Sequence, residues 1–157
     1  MIESDRDLFE HELKTLYGIE EDLEEFQSEL ASEATNEALE EFFTAHSEAT
    51  TDQLGRLEDV FDEMPYAVEA SRRDSATLEG ILEDRDARIA DAENPNLADL
   101  IDLETARAIE RLELSKLETL LDLSGRLRLD QEVTEPLQTT RLEVENALEQ
   151  LSGMPTG

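Results

Sequence analysis

Leu13-Lys14-Thr15-Leu16-Tyr17-Gly18-Ile19-Glu20-Glu21-Asp22-Leu23-Glu24-Glu25-Phe26-Gln27 decides the fold. Leu13, Leu16, Tyr17, Glu20, Leu23 and Phe26 or Gln27 recur at alternating spacings of three and four, which lines them up on one face of an α-helix. Glu20 lies inside that stripe, whereas Glu21, Asp22, Glu24 and Glu25 fall on the solvated side. A carboxylate on a face that packs inward is the feature from which a functional reading starts.

The same period extends outward from this stretch. Four prolines and six glycines interrupt it, mostly where the apolar spacing also lapses. They divide the chain into five predicted helices, the first from Ser4 to about Leu30. The second has Thr35 or Asn36 as cap, carries Phe42, Phe43, His46, Thr50, Gln53 and Leu57 on its stripe, and stops near Met64-Pro65. A shorter, more polar third helix is expected from Val68 to Ala92, ended by Asn94-Pro95. The fourth starts near a capping Asn96 and runs past Ile109 to about Leu127. The fifth is capped by Asp130 or Thr134, with Pro136 tolerated in its first turn if Thr134 is the cap, and ends before Ser152-Gly153. Strand patterns are absent. The expected fold is all-α, a single domain over residues 1–157. It is a ferritin-like four-helix bundle with an additional helix in the long crossover between the second and third bundle helices.

Composition narrows the function classes. With 42 acids against 13 bases the formal charge is -29, which repels nucleic acid phosphates and anionic lipid, so neither is expected as a partner. The acids are spread along the chain rather than gathered in a tail. Such a composition suits a cytoplasm holding molar salt, where the Debye length falls to roughly 3 Å. Without cysteine there are no disulfides, thiolate metal sites or cysteine nucleophiles, and no Gly-rich phosphate loop occurs. No apolar run approaches the roughly 18 residues that span a membrane, and Met1-Ile2-Glu3-Ser4-Asp5 does not read as a secretory signal. The expected location is cytoplasmic.

Leu8-Phe9-Glu10-His11-Glu12-Leu13-Lys14-Thr15-Leu16-Tyr17-Gly18-Ile19-Glu20 resembles the opening helix of the YciE/YciF-like ferritin-like family, which reads L-F-x-H-E-L-K-D-L-Y-x-A-E. His46, Glu48, Thr50, Gln53, Arg56 and Leu57 are similar to its H-x-E-E-T-x-x-Q-x-x-R-L segment. Leu78-Glu79-Gly80-Ile81-Leu82-Glu83 and Ile109-Glu110-Arg111-Leu112-Glu113 follow its M-E-G-L-I-E and V-E-H-Y-E motifs in order. The resemblance implies a five-helix ferritin-like fold, a homodimer, an association with stress responses, and a bundle interior that looks like a di-metal carboxylate centre. Two departures bear on that centre. Ala49 stands where the family has an inward glutamate, and Gln138-Thr139-Thr140-Arg141 with Val144 replaces its E-E-E-K-x-x-D.

A di-iron or di-manganese centre takes a glutamate from each of two helices and Glu-x-x-His from each of the other two. Leu8 precedes His11 by three residues and Phe43 precedes His46 by three, so neither histidine completes that pair. The expected interior groups are Glu20, Glu110 and Glu113, facing Thr50, Gln53 and Thr140. Three readings remain open for them. In the favoured one, Arg107 and Arg141 balance the carboxylates in an interior charge network, because stranding a buried charge costs about 3 to 5 kcal/mol and guanidinium forks suit carboxylates. In the second, Glu20, Glu110 and Glu113, with help from Gln53 or His46, hold one or two ions of iron or manganese. In the third, the carboxyls are protonated or reach solvent.

His46 is expected to hydrogen-bond inside the bundle, His11 to be partly exposed, and Tyr17 to bond a carboxylate in the core rather than relay radicals. The corresponding function is a non-enzymatic structural or stress-associated homodimer without cofactor. The alternative is a working iron or manganese protein with oxygen or peroxide chemistry. An unidentified protein partner could dock on an apolar seam at Leu78, Ile81 and Leu82.

Overall fold

A computed structural model describes residues 1–154. Its helices are α1 (Asp5–Glu33), α2 (Glu37–Glu63), α3 (Ala76–Asp91), α4 (Pro95–Arg126) and α5 (Gln131–Ser152). Side-chain caps open four of them. Ser4, Asn36, Ser75 and Asn94 accept from the backbone N–H three residues on, each about 1 kcal/mol better than alanine.

α5 starts at Gln131 with Asp130 at its cap position, one of the two caps expected, so Pro136 lies inside the helix. Two other boundaries differ from the sequence expectation. Asn94 does not end α3; it caps α4, with Pro95 in the first turn, where a missing N–H costs nothing. The second difference is the larger. α3 begins at Ala76 instead of Val68, because the preceding residues bind α1 in a non-helical course. The Arg73 N–H donates to the Lys14 carbonyl at 3.0 Å. A Cβ on Gly18 would lie 2.3 Å from the Arg73 carbonyl oxygen, so glycine there permits the close approach.

α1 packs on α2 and α4, α5 packs on the same two helices, and α3 lies on α4 within the crossover. Phe9, Leu13, Leu57, Leu120 and Leu137 fill one end of the bundle. Leu30, Leu39, Phe42, Leu103 and Leu151 fill the other. Rising numbers on α1 and α5 therefore meet falling numbers on α2 and α4. That is a four-helix bundle with one long crossover, the connectivity of ferritin-like folds. Burying each such leucine contributes about 1.5 to 3 kcal/mol against chain entropy. The apolar side of α3 is used internally, since Leu78 is buried with Ile19, Leu23 and Ile109 while Ile81 and Leu82 pack against them. The seam expected for an outside partner is thus largely covered by the protein's own bundle.

Candidate metal centre

Between the two apolar ends lies a polar layer. Glu20 of α1, Gln53 of α2 and Glu113 of α4 are wholly buried, Glu110 is 1% exposed, and His46 of α2 is 6% exposed. The helical period places them there: Glu20 lies between Leu16 and Leu23 on α1, and Glu110 and Glu113 are one turn apart on the inward side of α4.

His46, Glu110 and Glu113 each offer a ligating atom, and these atoms lie within 4.8 Å of one another. His46 Nε2 meets Glu110 Oε1, and the imidazole is oriented by stacking on Phe42 with ring centroids 5.1 Å apart. Glu20 is in hydrogen-bond reach of Glu113, and Glu113 of Glu110. Ionised carboxylates only accept, so contacts among them need a shared proton or a cation. Both oxygens of Glu20 and Glu113, Oε2 of Glu110 and both amide atoms of Gln53 lack a hydrogen-bond partner among the described residues.

Burial, reinforced by the neighbouring carboxylates, pushes Glu20, Glu110 and Glu113 well above the usual carboxylate range. Burial also lowers His46, against the opposing pull of the Glu20 and Glu143 charges. The site thus disfavours both its negative and its positive forms when left to itself.

The expected interior arginine network is corrected by the structure. Arg107 donates to the Leu151 carbonyl at 3.0 Å, near the end of α5, an oxygen that also accepts from the Met154 N–H at 3.3 Å. Arg141 is 38% exposed and pairs with Glu145 one turn along its own helix. Neither pairs with Glu20, Glu110 or Glu113 among the described residues. Thr50 directs its hydroxyl to Gln27 and the His46 carbonyl, away from the carboxylates. Tyr17 bonds a carboxylate, but at the surface: its hydroxyl donates to Glu58 at 3.1 Å. His11 is 31% exposed, as expected.

Two charged features were not singled out in the sequence. Arg85 of α3 binds the buried Asp102 of α4 at 2.8 Å, and the spacing of Asp102, Ala106, Ile109 and Glu113 would have revealed the inward acid. Arg56 of α2 makes a two-point contact with Glu143 of α5 and donates to Thr140 at 3.4 Å. Its partner across the bundle had no signal in either helix alone.

A divalent cation fits the donor set that is present. Three carboxylates and one imidazole, all inward and without a guanidinium or ammonium partner among the described residues, are hard oxygen ligands plus nitrogen, which suits manganese(II) or iron(II). The set holds three carboxyls and one imidazole, fewer than the four carboxylates and two histidines of a di-metal carboxylate centre.

The comparisons agree with this architecture. Protein YciF of Escherichia coli strain K12 is 29% identical over 121 residues, covering 77% of this chain and 72% of that protein. The crystal structure of the E. coli stress protein YciF superposes with a TM-score of 0.88 at 25% identity, covering 96% of this chain and 94% of the other. YcfI from Rhodopseudomonas palustris superposes with a TM-score of 0.92 at 24% identity, over 98% of this chain and 96% of that one. Residues 4–156 match the family described as a domain of unknown function, DUF892, and the chain belongs to that YciF-like family.

Proposed function

We propose that this chain is a stress-associated helical-bundle protein whose interior holds a single divalent cation, manganese or iron, and that it binds the ion rather than running di-metal oxidation. One observation carries the reading: three carboxyls and an imidazole converge from three helices in a buried layer, and no guanidinium or ammonium pairs with those carboxyls among the described residues. Leaving such groups bare costs several kcal/mol, which a cation would offset. His46, Glu110 and Glu113 would hold the ion and Glu20 would complete its charge balance, with Gln53 as a neutral neighbour. A bound manganese or iron ion supplies redox-capable chemistry shielded from bulk solvent. The description of the E. coli relative as a stress protein supports the stress association, and the strongly acidic composition supports a salt-rich cytoplasm.

The test is metal analysis after saturation with Mn(II) or Fe(II) and desalting. One ion per chain is expected, absent from a folded Glu110→Ala variant. A folded wild type that retains no ion overturns the reading, and two ions per chain overturn its single-ion form.

A further inference from the structure

The ligating side chains are at most a few per cent exposed, so an ion needs a way in. A groove of about 640 Å³ runs between α2 and α5 and reaches the polar layer, because His46 and Gln53 are part of its lining. Its α2 wall is made small by Ala38, Ala45 and Ala49. Glu143 stands in the same lining. It is 33% exposed and is held by Arg56, which is 26% exposed and also bonds Thr140, the buried α5 residue of the polar layer. The Glu143 charge acts on both His46 and Glu20, so this carboxylate is electrostatically coupled to the centre without being buried in it.

We propose that the α2–α5 groove is the mouth through which the divalent cation reaches the centre, and that Glu143, positioned by Arg56, is the carboxylate that receives the ion at that mouth. The proposal rests on the single-ion reading above and adds its route. Three observations support it. His46 and the wholly buried, unpartnered amide of Gln53 belong to the lining, so polar groups of the layer face the groove. Ala49 leaves open the space that a longer side chain on α2 would occupy. Glu143 is the acid of that lining coupled to the ligating groups, whereas Glu48 is exposed on another side of α2. Glu143 meets the ion in transit and is not assigned as a ligand of the bound ion; Arg56 is the positioning residue.

The experiment is stopped-flow loading of the full chain with Mn(II), read as loss of the free-ion electron paramagnetic resonance signal, followed by the stoichiometry at saturation. Glu143→Gln is expected to slow loading roughly tenfold, within the range that focused charge gives to association rates, and to keep wild-type stoichiometry. Ala49→Leu is expected to slow loading similarly by narrowing the groove while leaving every ligating group in place. Glu48→Gln removes an equal charge elsewhere on α2 and is expected to load at the wild-type rate. Wild-type rates in both Glu143→Gln and Ala49→Leu would overturn the route while the centre stands. Equal slowing in Glu48→Gln would reduce the effect to net charge and also overturn it. A wild type that binds no Mn(II) would overturn the centre and the route together.

Discussion

Replacing Glu113 by glutamine separates the cost of the buried acids from the benefit of the ion. Glu113 is wholly buried, neither of its oxygens has a partner among the described residues, and burial beside Glu110 lifts its carboxyl far above the usual range. Glutamine keeps the shape and removes the ionisable group. At pH 8 the metal-free variant should be more stable than the metal-free wild type by about 1 to 3 kcal/mol, because the unfolded glutamate ionises freely whereas the buried one resists it, at about 1.4 kcal/mol per pKa unit. In a domain of this size that corresponds to a rise in Tm of roughly 2 to 12 °C. With Mn(II) at a hundredfold excess over its Kd, the wild type gains about 2.7 kcal/mol, whereas the variant gains little because one ligand has gone. Thermal melts followed by circular dichroism, with chelator and with Mn(II), read both differences. A metal-free variant less stable than wild type, or one that gains as much from Mn(II), would refute the reasoning.

The stabilisation by Mn(II) should be larger at pH 8 than at pH 5. Folded-state values of Glu20, Glu110 and Glu113 lie above those of the unfolded chain, so the metal-free protein loses stability as pH rises from the ordinary carboxylate range through the folded values. His46 is shifted down and contributes the opposite slope, its stability recovering as pH rises toward its ordinary value. A Tm difference that shrinks between pH 5 and 8 would contradict ligation by these groups. Gly18→Ala should destabilise by about 1 to 3 kcal/mol in urea melts, because its Cβ would meet the Arg73 carbonyl oxygen and backbone must shift. Arg85→Ala should cost about 3 to 5 kcal/mol by stranding Asp102, which is 3% exposed, and a neutral result would show that water reaches that acid. Lowering KCl from molar to about 0.1 M lengthens screening from roughly 3 to 10 Å and should lower Tm through repulsion among the excess acids. An unchanged Tm would mean that the charge is balanced locally.

Much of the architecture was legible in the chain because helix faces are local. The stripe from Leu13 to Gln27 and the inward placement of Glu20, Glu110 and Glu113 follow from a turn of 3.6 residues. The boundary at Val68 was misread because composition there permits a helix, and only binding of Arg73 to Lys14 draws the segment out along α1. What the sequence by itself determined is therefore which residues turn inward and in what order the helices follow. Only the tertiary structure decided which inward groups meet. His46 joins Glu110 and Glu113, Arg107 turns to the end of α5, and Arg56 rather than Arg141 crosses to Glu143. The reason is physical: periodicity sets the angle of a side chain about its own helix, whereas distances across the bundle depend on the axial register of neighbouring helices and on which carbonyl or carboxylate competes for each guanidinium.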